Sequence, residues 1–306
     1  MEIFIVGLAA ATLRVATPLI LASIGEVFTE RSGVLNLGIE GTMFFGAFVG
    51  FWIADMTGSP WAGIAAAILA GMLAGLLMAF FSVTLGVNQH VSGLGITLLL
   101  TGLSLFIFRL AYGEPRVPPA LTEQVKLRPI AALSGLPLVG PILEQHTLTY
   151  VAILLVPLFA WLLYRTDFGL QVRAVGENPE AADAAGVNVF LVRYLALTLG
   201  GGLMALGGAF LSVAQLGAFT YGIIVGRGWV CIALVIFANW DPVKAMWGAF
   251  LFGGVFALQL RLQAAGLQLP YQALLSLPYL VTILALAVAG RNASYPGAYL
   301  KPYRRE

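Results

Sequence analysis

Nine stretches of mostly apolar residues, joined by short polar connections, leave this chain few ways to fold. A membrane helix needs about 20 such residues. By that rule the spans fall near 3–24, 34–54, 61–86, 93–112, 148–164, 191–213, 220–238, 243–260 and 273–290. Lipid-facing backbone must be satisfied within its own segment, and nothing here alternates like a barrel strand, so every span is expected to be helical. Of 306 residues, 60% are apolar and 10% charged, against roughly 25% charged in a soluble domain. The expectation is a single all-α integral membrane domain over residues 1–306, with no soluble catalytic domain appended.

Charge placement sets the orientation. Arg165 and Arg173 flank the loop 165–190, and Arg291, Lys301, Arg304 and Arg305 crowd the C-terminal tail. Basic residues near span ends mark the cytoplasmic side. With nine spans both regions lie inside and the N-terminus outside. Loop 113–147 then faces outward, although its Arg116, Lys126 and Arg128 run against the rule. Prolines 115, 118, 119, 129, 137 and 141 make that loop a rigid exterior segment. The N-terminus lacks the basic region of a cleavable signal peptide. Cys231 is the single cysteine, and His90 and His146 are far apart, so no disulfide or Cys/His metal spacing is encoded.

A faint repeat runs through the chain. Gly33-Val34-Leu35-Asn36-Leu37-Gly38 opens one span, and a Ser59-Pro60 turn and a span beginning Trp61-Ala62-Gly63 follow. Val225-Gly226-Arg227-Gly228-Trp229 interrupts another span, followed by the turn Asn239-Trp240-Asp241-Pro242 and a span with Trp247-Gly248-Ala249. The units would be about 3–112 and about 191–290. One span lies between them, so the second copy is inverted; inverted repeats with broken helices are common in transporters.

The loop 165–190 carries the clearest local code. Asn178 is a good N-cap, Pro179 suits the first helical position, Glu180 suits the positive end of the dipole, and Gly186 is a natural stop. The result is a helix of two turns, far below the ~12–15 residues that hold alone. It must dock on something, and Ala181, Ala182, Ala184 and Ala185 would allow close approach.

This loop resembles the coupling segment of ABC importer permeases of the branched-chain amino acid and simple-sugar class, with its pattern of Gly, Arg-Ala, Gly, Asn, Ala-Ala and Gly. The run from Gly25 to Gly41, GEVFTERSGVLNLGIEG, is similar to the signature of the nucleoside-importer branch, as is Asn88-Gln89-His90-Val91-Ser92-Gly93-Leu94. Thr97 stands near the place where that branch often carries Asn. The resemblance covers essentially the whole chain. It implies that Glu177, Asn178, Pro179, Glu180, Ala181, Ala182, Asp183 and Gly186 seat in a groove of an ATPase subunit. It also implies a second permease, a paralogue, an extracytoplasmic substrate-binding protein, and residence in the bacterial inner membrane. The implied cargo is a nucleoside, with simple sugars or another ribose-like solute such as riboflavin as alternatives.

The residues agree on energetics. No G-x-x-x-x-G-K-[ST] is present, and none of the three lysines follows a glycine-rich turn. No cofactor is expected on this chain; ATP and Mg belong on the partner ATPase. No nucleic-acid partner is indicated, and the surrounding medium is lipid.

Polar residues inside spans are candidates for the substrate path: Asn36, Glu40, Asn88, Gln89 and Trp229. Glu40 falls about seven residues, or about 10 Å, into its span. A charge near a helix centre costs about 2.5–3.5 kcal/mol on insertion scales and must be paired or face a cavity. Glu40 could line the path, or it could lock two helices together through Arg227 or backbone N–H groups; the lock is favoured. Arg14, Arg109 and Arg227 also fall in spans, and Arg109 is near enough to an end to snorkel. Glu26, Glu30 and Arg31 read as a solvated polar turn. Trp229, Phe219 and Tyr221 could stack a base, but packing roles are commoner in membrane helices. Two rival classes are an ion-coupled secondary transporter using Glu40, which would not need a docking helix, and a membrane enzyme, for which no nucleophile–base or metal constellation exists.

Overall fold

The computed structural model describes residues 2–128, 140–264, 271–289 and 293–304. Among these the regular structure is helical apart from one two-residue ribbon. The helices are α1 (Glu2–Arg31), α2 (Ile39–Thr57), α3 (Pro60–Ala79), α4 (Gln89–Tyr112), the single turn α5 (Gly140–Leu143) and α6 (Thr147–Arg165). They continue with α7 (Asp167–Glu177), α8 (Pro179–Ala184), α9 (Val189–Ala209), α10 (Arg227–Phe237), α11 (Pro242–Ala264) and α12 (Tyr271–Ala289). Strands β1 (Leu127–Arg128) and β2 (Gln145–His146) pair antiparallel, with Leu127 opposite His146.

Seven helices among the described residues are long and apolar enough to cross a membrane: Phe4–Arg31, Ile39–Thr57, Pro60–Thr84, Gln89–Tyr112, Thr147–Arg165, Val189–Gln215 and Pro242–Ala264. Two further apolar helical stretches, Arg227–Phe237 and Gln272–Ala285, are shorter. The protein is therefore an all-α multi-pass membrane protein.

α1 and α9 form the centre. Residues 15–30 of α1, and 200–209 of α9 with the π-helical turn 210–214 that continues it, are buried on every side, as expected of helices that are apolar all round. They cross where two glycines meet. A Cβ on Gly25 would lie 2.6 Å from the Gly200 carbonyl oxygen, and one on Gly200 would lie 2.8 Å from that of Gly25. Only small residues let membrane helices approach this closely. α3 meets α9 the same way at Gly71 and Gly201. The pairs Gly71–Gly201 and Gly75–Leu197 run in opposite directions along the two helices, so α3 and α9 are antiparallel. Gly253–Ala16 and Gly7–Arg261 make α1 and α11 antiparallel too.

Several expected boundaries move. The span placed at 34–54 begins at Ile39, because residues 32–38 form an irregular break. There Gly33 takes φ +89°, and the Asn36 Oδ1 accepts the Gly38 N–H. The span placed at 220–238 is helical only over Arg227–Phe237, since Gly217, Val225 and Gly226 all adopt left-handed φ. The polar turn expected at Glu26, Glu30 and Arg31 is the last part of α1: both glutamates are fully buried, and Arg31 is partly buried. Pro129, Pro137, Arg291 and Arg305 lie outside the described residues.

The ends of the helices collect into two groups. The end of α1, α7, α8, the start of α9, the turn after α10 and residues 293–304 meet at one end, called here the arm end. At the opposite end Leu121 N–H donates to the Gly217 carbonyl, and Arg14 donates to Gln145.

Candidate functional site

Two helix starts converge on one carboxylate. Glu40 stands in the first turn of α2. Its Oε1 accepts the N–H of Gly226 at 2.8 Å and its Oε2 that of Gly228 at 2.7 Å, at the start of α10. The first N–H groups of a helix have no partner inside it, and the helix start carries partial positive charge. Glu40 satisfies both needs of α10 while standing at the start of α2. Of the two partners considered for a lock, the backbone is the one found. The Arg227 guanidinium instead donates to the carbonyls of Ile223 and Ile224. α10 has 11 residues, so at 1.5 Å per residue this junction lies about 16 Å from its other end. Broken helices meeting at mid-depth are typical of transporter binding regions.

The break before α2 is held by four side chains. Glu26 Oε1 accepts the Asn36 N–H at 3.0 Å. Gln89 Oε1 accepts the Leu35 N–H at 2.8 Å. Thr97 Oγ1 donates to the Leu37 carbonyl at 2.9 Å. Asn36 closes its own turn onto Gly38 and points its Nδ2 at the Met204 sulfur. Asn36 and Gln89 are buried, so they stand as braces of the break. Asn88 is exposed and caps α4, its Oδ1 accepting the N–H groups of His90 and Val91. Trp229 is 39% exposed on the first turn of α10, beside Glu40. Phe219 is fully buried, with ring contacts to Phe44, Phe48, Phe51 and Phe108, which makes it a packing residue. Tyr221 is exposed and meets Phe108 edge-on.

The arm is built as its local code requires. Asn178 Oδ1 accepts the Ala181 N–H at 2.9 Å, and Pro179 opens α8. The Val187 N–H reaches the Ala182 carbonyl and the Gly186 N–H that of Asp183, with Gly186 at φ +88°; this is a Schellman ending. Glu177, Glu180, Ala181, Ala184, Ala185 and Gly186 are exposed, and Asp183 is partly buried. Ala182 is different. It is 5% exposed and packs inward with Val172, Val175 and Val189. The most exposed alanines of this segment are therefore Ala181, Ala184 and Ala185. Ala181 and Ala185 border an open groove of ≈ 630 Å³, which Ala182 also lines, shared with Leu170, Gln171 and Ala174 of α7. α7 itself was missed from the sequence, although Thr166 caps it and Val172 and Val175 mark its inner face.

The comparisons decide the family. The family described as branched-chain amino acid transport system / permease component matches residues 8–288. The chain belongs to it. The putative glucose ABC transporter permease protein TsgC13 of Haloferax volcanii is 41% identical over 99% of both chains. The guanosine ABC transporter permease protein NupQ of Bacillus subtilis is 36% identical over 96% of this chain and 95% of its own. The nucleoside ABC transporter permease protein NupC of Lactococcus lactis is 36% identical over 94% of each. No solved structure matches. The chain is thus an ABC transporter permease of the bacterial inner membrane.

Proposed function

We propose that this permease carries nucleosides inward through an ATP-driven importer, by alternating access. The observation that carries this reading is the nearly full-length likeness to guanosine and nucleoside permeases. The likeness to a putative glucose permease favours a sugar as the second reading. Both cargoes present sugar hydroxyls, so the two readings share part of their chemistry.

The chain crosses the membrane nine times, with α10 and α12 as the two crossings beyond the seven long helices. Residues of about 3–112 and 191–290 form two inverted repeats within one permease domain. In support, α1 lies antiparallel to α11 as α9 does to α3, and Gly25 and Gly200 face each other reciprocally. The arm end is cytoplasmic, because it gathers Arg165, Arg173, Lys301 and Arg304.

The partners are an ATPase subunit, which holds ATP and Mg, a second and paralogous permease, and an extracytoplasmic substrate-binding protein. α8 and the groove beside Ala181 and Ala185 receive the ATPase. The permease itself makes and breaks no covalent bond.

The test is ATP hydrolysis by the complex reconstituted in proteoliposomes with its binding protein. Guanosine should stimulate it more than ribose or glucose. Stimulation by a free sugar alone, with nucleosides inert, transfers the assignment to sugars.

A further inference from the structure

At the arm end one irregular segment, turned at residues 297–300, bonds to the end of α7, to the break after α1 and to the turn after α10. Residues 294–303 run across it as a strap. The Gly297 N–H donates to Glu177 Oε2 at 3.1 Å and the Ala298 N–H to the Gly176 carbonyl at 2.8 Å, so the strap is tied to the end of α7, directly before the cap of α8. Two residues on, the Leu300 N–H donates to the Gly33 carbonyl at 3.2 Å, at the start of the break that leads to Glu40. The Ser294 N–H donates to Asn239 Oδ1 in the turn after α10.

Arg193 fastens the other side. It is 1% exposed, donates from Nε to the Ser32 carbonyl at 3.1 Å, and reaches from Nη1 to the Lys301 carbonyl. One buried guanidinium therefore holds the break and the strap together.

The strap also governs Trp240. Tyr295 and Tyr299 meet its ring edge-on at 4.7 and 6.0 Å. Trp240 is fully buried with φ +56°, a left-handed backbone that a bulky residue adopts only when its surroundings hold it there. Its Nε1–H donates to Glu30 Oε2 at 2.6 Å, and Arg31 donates to its carbonyl. Burial, with the carboxyls of Glu30 and Glu26 close by, pushes the Tyr299 phenol well above its ordinary range, so it stays a neutral donor beside Glu30. Glu26, one helical turn before Glu30, in turn holds Asn36 in the break.

We propose that the C-terminal strap, residues 294–303, is the coupling element of this permease: it carries movement of the α7–α8 arm to the break at Gly33–Gly38 and so to the Glu40 junction. The inference rests on the importer reading, in which the arm receives the ATPase. Coupling travels through contiguous contacts: α7 abuts the break directly at Gly176, beside Arg31 and Gly33, and the strap bonds the two together with backbone hydrogen bonds that side-chain exchange cannot remove.

The test uses the full complex with its ATPase and binding protein. A chain ended after Ala293 should still insert and co-purify with the ATPase, while cargo moved per ATP hydrolysed falls at least fivefold. Trp240→Phe, which keeps the ring but loses the donor to Glu30, should lower the same ratio by a smaller factor. An unchanged ratio in both variants overturns the proposal, even where the amount of complex falls.

A distance measurement does not depend on either variant folding. Spin labels on Lys301 and Leu170, strap and arm, should keep one separation when ATP binds. Labels on Lys301 and Glu123, at opposite ends of the molecule, should change theirs. A strap that stays with Glu123 while Leu170 moves away overturns the proposal alone. A wild-type complex that hydrolyses ATP yet moves no cargo overturns the importer reading and, with it, this inference.

Discussion

Glu40 and Gly228 are 188 residues apart in sequence and 2.7 Å apart in space, carboxylate oxygen to backbone N–H. The contact replaces an ion pair. The start of α10 presents its unpaired N–H groups and partial positive charge to this anion, so backbone donors hold it, with Arg227 close by but not bonded to it. It also ties the opening of α2 to the opening of α10, the two places where the helices are broken.

Removing that carboxylate should therefore cost stability before it costs anything else. Glu40→Ala leaves the N–H groups of Gly226 and Gly228 without acceptors in apolar surroundings. Each such loss costs about 1–3 kcal/mol. The purified permease should lose on the order of 5 °C in melting temperature, and less should assemble with the ATPase. Glu40→Gln keeps one acceptor oxygen and should lose about half as much, while retaining most uptake. A Gln variant that melts like wild type but transports nothing would place Glu40 in the cargo path instead.

Acidification should loosen the end opposite the arm. Burial holds the His146 imidazole below its ordinary range, and Arg14 adds to this; the ring's Nδ1 pairs with the Val125 carbonyl. The folded state then binds fewer protons than the unfolded chain between its lowered value and the ordinary value of about 6.5. Stability rises with pH across that window and is lost as pH falls through it. Melting temperature should decline below about pH 6.5, and His146→Gln should flatten that part of the profile. A wild-type profile unchanged by the substitution would assign the decline to other groups.

What the sequence discloses here is what local chemistry decides. Asn178, Pro179 and Gly186 act on neighbours within five residues, so the ends of α8 could be read directly. The need to neutralise Glu40 was also legible, because a carboxylate in an apolar run must be answered. Its partners were only half legible, since backbone N–H groups at residues 226 and 228 look like any others until the chain breaks there. Glu26 and Glu30 were misread as a solvated turn. Six letters, GEVFTE, describe a turn well; what buries them is Trp240 and Tyr299, more than 200 residues away. The burial of Ala182 was not legible for a related reason. The alanines 181, 182, 184 and 185 of α8 and its C-cap are all small, and only the packing of α8 against α7 and α9 decides which one turns inward.

Topology can be tested at the two ends of the molecule. In a Cys231→Ser background, Glu123→Cys should react with a membrane-impermeant maleimide from outside the cell. Glu180→Cys should react only after the membrane is opened. Both positions are exposed in this chain, and nine crossings put them on opposite sides. Equal labelling of both from one side would require a different number of crossings.

The last prediction separates the outer from the inner face of the arm. Ala181 is exposed beside the groove between α7 and α8, whereas Ala182, which also lines it, is almost wholly buried. A bulky charge should therefore act differently at adjacent positions. Ala181→Arg should leave the isolated permease with its wild-type melting temperature while weakening co-purification of the ATPase at least tenfold. Ala182→Arg should lower the melting temperature of the permease by itself, since it forces a charge among Val172, Val175 and Val189. Asn178→Ala belongs between them. It removes the cap from a helix of six residues, worth about 1 kcal/mol, and such a short helix has little else to hold its first turn. Its effect should be mild on the isolated protein and larger on ATPase binding, because the partner must then order the helix it binds. Differential scanning fluorimetry of the permease alone, set beside ATPase pull-down of the same variants, reads both effects. If Ala181→Arg and Ala182→Arg lower melting temperature equally and leave pull-down intact, α8 is not the docking element, and the ATPase must seat elsewhere on the arm end.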